Sequence, residues 1–375
     1  MDNWNIKVVG GGANQSLLHN IVSLPNLLQA WKEFKRCKNS KKDIAEFEFN
    51  LENNLFSLYS NLINKTYIPD PYQAFFVYDP KRRHIHKATV KDRVLHQAIF
   101  KILYPIFDKH FIYDSYSSRK GKGTHKASQQ LFIVLRKESK NWRVPVFALK
   151  CDIRKFFDSV DHNILFELIK KKITDEETLT LIKQILDSFE VKNKMLTNSA
   201  IAESVNISRR GLPLGNVTSQ LFANIYLNEL DQFVKHNLKV KSYFRYADDF
   251  VLLSRDRKIL ENYILEIQDF LDKNLKLQLH PNKISIRKVT QGIDFVGYVI
   301  LPDTVVLRTK TKKRIFKKLK TVKDKLVNKK STKENFNQTK TSYLGILTHC
   351  KDKEIKRGIN RILLQCFINF ASDHQ

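Results

Sequence analysis

The chain is short of cysteine and contains no long apolar run, and each shortage excludes a class of protein. Its 375 residues include four cysteines with no Cys-x-x-Cys pair among them, which are Cys37, Cys151, Cys350 and Cys366. Such scatter argues against a disulfide framework and against a zinc site. No apolar stretch approaches the roughly 18 residues that a membrane-spanning helix needs, and the N-terminus shows no signal-peptide pattern. We therefore expect a soluble, intracellular protein.

Acidic residues are scarce relative to basic ones. Lys and Arg number 66 and Asp and Glu number 38, which gives a net charge of +28. Because so large a charge repels itself in a compact chain, it indicates a polyanionic partner. Nucleic acid is the leading candidate, and an anionic membrane surface is the alternative. Since 42% of the residues are hydrophobic, the chain can bury cores, and its length suits two or three compact units.

The middle of the chain alternates short apolar runs with helical patterns. These patterns predict, in order, a strand over 145–153 that ends at Asp152, a helix from about Lys155 to Lys172, a loop and helix over 209–234, a hairpin from 240–246 and 250–253, a helix over 258–274, and strands at 277–279, 284–286 and 293–307. This order is typical of a polymerase palm, which is an α+β sheet with helices on one face.

Helices, one strand and two basic segments are predicted on either side of the palm. On the N-terminal side, helices are predicted over 24–66, and residues 72–107 begin with a strand, turn at Asp79-Pro80 and continue as a helix from about Arg93 to Leu103; a basic Gly-containing loop follows over 114–127. On the C-terminal side, a basic helix is predicted over 310–330 and a last helical pair over 341–370. The composition of 114–127 suits a loop that faces phosphate. An apolar stripe along 310–330 indicates that one side of this basic helix packs on the fold.

Two adjacent aspartates, Asp248 and Asp249, interrupt the apolar runs of the predicted hairpin. A hairpin tip can bring both carboxylates close to Asp152 at the end of the neighbouring strand. Three converging carboxylates would bind two divalent cations about 3.5–4 Å apart, the arrangement used for in-line phosphoryl transfer. Mg²⁺ suits such hard oxygen ligands, and Mn²⁺ could replace it. The alternative is an exposed turn without a function.

Five motifs in this sequence resemble those of the reverse transcriptase family. They are YADD at 246–249, LKCDIRKFFDSVDHNIL at 149–165, PKRRHIHKATVKDRVLHQA at 80–98, GLPLGNVTSQLFANIYLNELD at 211–231 and GIDFVGY at 292–298. The resemblance covers roughly residues 25–360 and implies an RNA-directed DNA polymerase shaped as a right hand. It implies N-terminal helices and fingers over 1–147, a palm over 148–308 with part of the fingers in 170–210, and a helical basic thumb over 309–375. Template RNA, an RNA/DNA hybrid and deoxynucleoside triphosphates are the implied partners.

A narrower resemblance points to the reverse transcriptases of diversity-generating retroelements. Group II intron enzymes usually carry PQGxxxSP where this chain has LGNVTSQ at 214–220, and the segments 113–127 and 342–350 are similar to the retroelement family. This resemblance implies a bacterial, cytoplasmic enzyme that copies its template RNA with errors, often beside a basic accessory protein. A defence-associated reverse transcriptase working with a non-coding RNA is the alternative. A non-catalytic RNA-binding protein, such as a splicing helper, is a third possibility, and the intact aspartates argue against it.

The family resemblance also assigns roles to single residues. The catalytic set is Asp152, Asp248 and Asp249, and the metal site comprises these three with Ile153. The nucleotide-binding set is Lys81, Arg83 and Arg93 for the triphosphate, Phe157 as the gate against a 2′-hydroxyl, Leu214 and Gly215 in the pocket loop, and Lys283 for the leaving pyrophosphate. The nucleic-acid-binding set is Lys120, Lys122, Tyr246, Gly297, Lys313, Lys317 and Lys320.

Each of these roles has a plainer alternative. Phe157 could be core packing, because it is one of an apolar pair. The basic residues could be solvated surface charges in a Lys-rich chain, and the helix 310–330 a solvated face. Leu214 stands where the family usually has Gln, so a polar contact near the nascent base pair is lost. Since polar contacts reject wrong partners most strongly, we predict low fidelity, and tolerated packing variation is the alternative.

Overall fold

The computed structural model describes residues 16–78, 82–189, 209–328, 331–352 and 354–361. The helices in chain order are α1 Leu17–Val22, α2 Leu24–Lys35, α3 Lys42–Phe49, α4 Leu51–Ile63, α5 Val90–Asp108, α6 Thr124–Glu138, α7 Phe156–Ser159, α8 His162–Lys170, α9 Glu176–Asp187, α10 Val217–Gln232, α11 Arg257–Leu275, α12 Thr309–Val327 and α13 Lys333–Leu347, and residues 354–361 are also helical. The strands are β1 Gln73–Val77, β2 Arg83–Lys87, β3 Phe147–Asp152, β4 Tyr243–Tyr246, β5 Asp249–Ser254, β6 Ser285–Lys288, β7 Ile293–Phe295, β8 Tyr298–Leu301 and β9 Thr304–Leu307. The predicted α+β class is confirmed.

The chain divides into two compact units that alternate along the sequence. The first comprises Met1–Ile112, Arg154–Asp231 and Phe270–Gln278, and the second comprises Tyr113–Ile153, Gln232–Asp269 and Leu279–Gln375. Among the described residues, none of the helices combines the length and the apolar character needed to cross a membrane.

Helices make up most of the first unit. In α2 the buried residues are Leu27, Ala30, Trp31 and Phe34, which follow the i, i+3, i+4, i+7 pattern of one helix face. Helix α5 begins at the N-cap Thr89, whose hydroxyl accepts a hydrogen bond from the amide of Asp92. The hairpin β1–β2 presents every residue of β1 to solvent. The helices predicted over 24–66 are confirmed.

Two predictions about the first unit need correction, and a third falls on residues that the structure does not describe. The helix expected from Arg93 begins earlier, at Val90, and a second strand that we did not predict, β2, precedes it. The helix expected from Lys155 to Lys172 is broken into α7 and α8, because the carboxylate of Asp161 caps α8 by accepting from the amides of Asn163 and Ile164 at 3.0 and 3.2 Å. The predicted turn at Asp79-Pro80 lies outside the described residues.

The second unit contains an antiparallel sheet in the order β4-β5-β3-β6. Helix α6 packs on one face through Leu131 and Leu135, in a cluster that includes Ala148 of β3 and Val251 of β5. A smaller sheet, β7-β8-β9, contributes Phe295 to the same cluster. The predicted strand over 145–153 and the hairpin around the two aspartates are confirmed. The strand predicted at 277–279 is wrong, since the only pairing described there is an isolated bridge between Leu279 and Ile153.

The basic helix predicted over 310–330 is observed as α12. It buries Ile315, Leu319 and Leu326 on one side, as the apolar stripe predicted, and exposes lysines on the other. Helix α6 begins at Thr124, so the loop predicted over 114–127 ends before that residue. Of the predicted last helical pair, α13 and the helix over 354–361 are observed, and residues 362–375 lie outside the described part.

Candidate active site

The turn between β4 and β5 carries Asp248. Tyr246 and Asp249 pair across the hairpin, so Ala247 and Asp248 form its two-residue loop. Ala247 has a φ of 52°, a conformation that costs energy for a residue with a side chain. Arg245, which is fully buried, braces the turn by donating from Nη1 to the Ala247 carbonyl at 3.2 Å. The hairpin tip is therefore held in a defined shape by a buried cation.

Asp152 and Asp249 lie directly opposite each other in the sheet. They are register partners across β3 and β5, and directly opposed side chains of an antiparallel pair lie on the same face. The amide of Ile153 donates to the Asp248 carbonyl at 3.2 Å, which ties the end of β3 to the hairpin turn. The side chain of Ile153 is buried and apolar, so only its main-chain carbonyl could ligate a metal. The fold thus brings together the backbone of all three predicted aspartates.

Two lysines contact these carboxylates. Lys150 Nζ lies 3.2 Å from Asp249 Oδ2, and Lys283 Nζ donates to Asp152 Oδ1 at 2.5 Å. Lys283 was predicted near the leaving pyrophosphate, and it lies beside the carboxylates. Lys150 was missed, although its position two residues before Asp152 places both side chains on one face of β3. In a chain with so many lysines, that spacing alone did not distinguish it.

Asp249 Oδ1 is buried and has no hydrogen-bond partner among the described residues. Burial raises the pKa of the Asp249 carboxyl to about 6, and the nearby Asp152 and Asp248 add to that shift while Lys150 opposes it. An unpaired buried carboxylate oxygen is costly, and it is also the kind of hard ligand that Mg²⁺ binds. The donor set therefore fits a divalent cation. Within the described ranges, however, no three His, Cys, Asp or Glu side chains are already gathered as a metal site. Lys150 and Lys283 each contact one of the carboxylates.

The two adjacent phenylalanines, Phe156 and Phe157, differ in how deeply they are buried. Phe156 is 2% exposed and packs near Tyr226, with the two ring centroids 6.4 Å apart. Phe157 is half-buried, and its carbonyl accepts from the amide of Leu212 at 2.7 Å. Phe156 therefore belongs to the core, whereas Phe157 is partly exposed, and its role as the gate stays a prediction.

The loop that carries Leu214 and Gly215 approaches the β1–β2 hairpin closely. Gly215 is exposed with a φ of +130°, and a Cβ built on it would lie 3.5 Å from the carbonyl oxygen of His86. The space admits a methyl group, so the backbone conformation is what requires glycine here. Leu214 is half-buried.

A buried polar network that we did not predict holds the next part of this loop. His96 Nδ1 lies 2.6 Å from the Thr218 hydroxyl, and its Nε2 lies 3.4 Å from the amide nitrogen of Asn216. That amide also donates to the Tyr72 hydroxyl at 3.1 Å. Burial lowers the pKa of His96 to about 4, so the imidazole is neutral at physiological pH. The network therefore holds the loop in place through His96, to which the sequence assigns no role because the histidines show no metal-ligand spacing.

The low pKa of His96 predicts acid sensitivity of the fold. An unfolded histidine titrates near about 6.5, so the unfolded chain binds the proton first, and stability is lost as the pH falls below that value. For a folded pKa of about 4, the loss between pH 7.5 and pH 5 is about 2 kcal/mol. We expect His96→Gln to remove about 2 kcal/mol of the decrease in the free energy of unfolding between these two pH values, as measured by urea denaturation. His236→Gln, at an exposed position, is the control, and equal losses in both variants would contradict the assignment.

The predicted triphosphate ligands differ in their surroundings. Arg83 is exposed at the start of β2. Arg93 donates from Nη2 to Asp43 Oδ2 at 2.6 Å, and its guanidinium lies 4.9 Å from the centre of the Phe34 ring. Arg93 is therefore engaged within the first unit, and binding a triphosphate would require it to leave Asp43. Lys81 lies outside the described residues.

The predicted nucleic-acid ligands of the second unit are mostly accessible. The exposed ones are Lys120, Lys313, Lys317 and Lys320. Lys122 is half-buried and donates to the Tyr113 carbonyl at 2.8 Å. Burial raises the pKa of the Tyr246 hydroxyl, which is hydrogen-bonded to Ser117. Gly297 has a φ of +89° and accepts from the amide of Arg308 at 3.1 Å.

Comparisons with known proteins identify the family of the chain. A family model described as reverse transcriptase (RNA-dependent DNA polymerase) matches residues 78–300. Protein YkfC of Escherichia coli is 26% identical over 283 residues, which are 65% of this chain and 70% of YkfC. The group II intron-encoded protein LtrA of Lactococcus lactis is 25% identical over 328 residues, which cover 70% of this chain and 51% of LtrA. The chain thus spans about half the length of LtrA.

A solved structure with lower sequence identity is also similar to this chain. The apo telomerase from Candida tropicalis, truncated from its C-terminal domain, superposes with a TM-score of 0.45 and 16% identity over 67% of this chain and 59% of the telomerase chain.

Proposed function

Because the chain belongs to the reverse transcriptase (RNA-dependent DNA polymerase) family, we propose that it copies an RNA template into DNA by adding deoxynucleotides to a primer 3′ end. The observation that supports this reaction most directly is the placement of Asp152 opposite Asp249, with Asp248 in the adjoining turn. Asp249 Oδ1 is buried and has no hydrogen-bond partner in the described part of the chain. A divalent cation bound there would supply the missing partner.

The residues proposed to hold Mg²⁺ or Mn²⁺ are Asp152, Asp248, Asp249 and the carbonyl of Ile153. Bound divalent cations supply a lowered pKa at the primer hydroxyl and neutralise charge that develops on the triphosphate. Lys283 brings an ammonium group to the carboxylates, which suits it to give a proton to the leaving pyrophosphate. Its donor group and the acceptor oxygens of the aspartates thus lie in one part of the second unit.

The remaining predicted residues would position the substrates. Arg83 presents a planar fork that matches triphosphate oxygens. Among the exposed lysines of α12, Lys313, Lys317 and Lys320 lie three or four positions apart and share one side of the helix. Such a row would contact the phosphates of the primer–template duplex and position it without reading sequence. In this proposal, α12 belongs to the thumb, and the four-stranded sheet of the second unit belongs to the palm.

The function is tested first by primer extension with the purified chain on an RNA template, with Mg²⁺ and each deoxynucleotide. We expect templated extension that requires a divalent cation. RNA that co-purifies with the protein serves as a second template, because an enzyme of this kind can depend on its own RNA. If neither template supports synthesis with Mg²⁺ or Mn²⁺, the enzymatic proposal is wrong.

We further propose that the enzyme is error-prone and belongs to a diversity-generating retroelement. The support is the LGNVTSQ segment at 214–220 and the similar segments at 113–127 and 342–350. A basic accessory protein would be a partner in that setting. Sequencing of the extension products separates this role from antiphage defence with a non-coding RNA. Errors concentrated opposite template adenines favour the retroelement, and rare or evenly spread errors favour defence.

Low fidelity is attributed to Leu214, so restoring an amide there should reduce it. We expect Leu214→Gln to lower misincorporation by about tenfold, because a polar group at the nascent base pair penalises mispairs that leave it unpaired. The measurement is the ratio of kcat/KM for wrong and right nucleotides on one RNA template. The control is Leu265→Gln, at a leucine that is 71% exposed. An unchanged ratio in Leu214→Gln would reduce this residue to a packing variation.

A further inference from the structure

Lys150 occupies an unusual position for an ammonium group. Its side chain is 22% exposed, on β3, two residues before Asp152. Its Nζ lies 3.2 Å from Asp249 Oδ2 and donates to the main-chain carbonyl of Asp294 at 2.7 Å. A largely buried charge is stable only with such partners. Lys150 therefore joins a proposed catalytic carboxylate on β5 to the strand β7 of the smaller sheet.

The contacts continue from β7 to the start of α12. The Asp294 carboxylate accepts a hydrogen bond from Arg308 Nε at 2.6 Å and also pairs with Arg308 Nη2. Arg308 is the N-cap residue of α12, and its amide donates to the Gly297 carbonyl at 3.1 Å. Asp249, Lys150, Asp294 and Arg308 are therefore linked in series, with Lys150 on the main-chain carbonyl of Asp294 and Arg308 on its carboxylate, and we call this series the lysine relay.

The relay joins two features with separate proposed tasks. One end is the carboxylate of Asp249. The other end is the first turn of α12, whose exposed lysines would contact the duplex. Each contact in between is a polar contact within the second unit, and three of the four residues, Asp249, Lys150 and Asp294, lie on strands whose register is fixed by the sheets. A shift of α12 would therefore reach Asp249 through bonded groups.

We propose that Lys150 is a positioning residue that orients Asp249, and that the lysine relay couples the seating of α12 on the primer–template to that orientation. This inference rests on the proposed function and names residues that act on the same site. Lys150 acts through Asp249 and not on substrate, which separates its role from that of Lys283. The coupling requires that the effect of breaking one end of the relay depends on the other end being intact.

The kinetic test uses Lys150→Met, Lys150→Arg and Arg308→Gln, alone and in the Lys150→Met/Arg308→Gln pair. We expect Lys150→Met to lower kcat by about 10–100-fold, as is usual when a group that orients a metal ligand is lost. The Kd for primer–template and the melting temperature should stay near the native values, and Lys150→Arg should recover most of the loss. A fall in kcat that only mirrors a fall in melting temperature would overturn the positioning role.

The same single and double variants measure the coupling between Lys150 and Arg308. If the relay is continuous, Arg308→Gln should lower kcat at least about threefold more in the native background than in Lys150→Met. Equal factors in both backgrounds would overturn the coupling. Lys288→Met and Arg287→Gln are the matched controls, since both residues are exposed on β6 of the same unit. Neither control should change kcat.

Hydrogen–deuterium exchange tests the relay without any activity. We expect Lys150→Met to speed exchange in the β7–β8 amides, because Lys150 donates to the Asp294 carbonyl, and we expect Lys288→Met to leave it at the native rate. Native-like exchange in Lys150→Met would overturn the relay. This readout keeps the two ideas apart, since failure of the native chain to extend any primer defeats the proposed function and not the relay.

Discussion

Asp249→Asn is expected to lower the rate of primer extension by at least about 10³-fold, which corresponds to about 4 kcal/mol of transition-state stabilisation. The substitution keeps the shape of the side chain and removes its charge. The oxygen that lies buried without a partner in the described chain would then belong to a neutral amide, which binds a divalent cation poorly. Single-nucleotide incorporation under saturating primer–template measures the effect, and Mg²⁺ titration shows whether a higher concentration restores the rate.

The fold should survive this substitution. Burial raises the pKa of Asp249 to about 6, whereas an unfolded aspartate titrates near about 4. The folded chain therefore holds the proton more tightly, and stability falls as the pH rises through that interval. At pH 7.5 the ionised carboxylate opposes folding, so its replacement by Asn should not lower the melting temperature, even though Lys150 loses a partner.

Asp272→Asn provides the comparison, because Asp272 is an exposed carboxylate on α11. It should leave both the extension rate and the melting temperature at native values. Near-native extension by Asp249→Asn would remove this residue from the catalytic set. A loss of rate accompanied by unfolding would instead make Asp249 a structural residue.

The position of the three carboxylates proposed as catalytic is predictable from the sequence because it depends on local patterns. Apolar runs on both sides of the aspartate pair predict a hairpin, and the structure shortens the predicted three-residue connection to two residues because β5 begins at Asp249. A strand that ends in Asp152 then needs only antiparallel pairing to place that residue opposite Asp249. Alternation along β3 also marks Lys150, but nothing in the sequence says that β7 supplies the carbonyl that completes its contacts.

The surroundings of the loop that carries Leu214 and Gly215 are less predictable because they depend on segments that are distant in the sequence. His96 meets Thr218 across 122 positions of sequence, and Asn216 meets Tyr72 across 144. The engagement of Arg93 by Asp43 is likewise set by how α3 and α5 pack, and not by either sequence motif. The break between α7 and α8 depends on a local signal, since Asp161 before an apolar run is typical of a helix start, and the structure confirms it as the N-cap of α8. The predicted helix from Lys155 to Lys172 nevertheless runs across this residue.

Phe157→Ala is expected to reduce discrimination against ribonucleotides by about 10²-fold. In the proposed gate, the ring of Phe157 occupies the space that a 2′-hydroxyl would need. Removal of the ring admits that hydroxyl, so kcat/KM for a ribonucleotide should rise while kcat/KM for the matching deoxynucleotide changes little. The measurement compares the two substrates on one RNA template.

Phe156→Ala separates the gate from core packing, because the neighbouring ring is buried while that of Phe157 is not. Truncation of a buried phenylalanine leaves a cavity and costs about 3–5 kcal/mol of stability, so Phe156→Ala should lower the melting temperature without changing sugar discrimination. Phe132→Ala, at another half-buried phenylalanine, controls for general loss of an aromatic ring. If Phe157→Ala destabilises the chain as much as Phe156→Ala and leaves the sugar preference intact, the core-packing alternative holds for both residues. If discrimination falls in Phe157→Ala alone, the aromatic pair has one ring for the fold and one for the substrate.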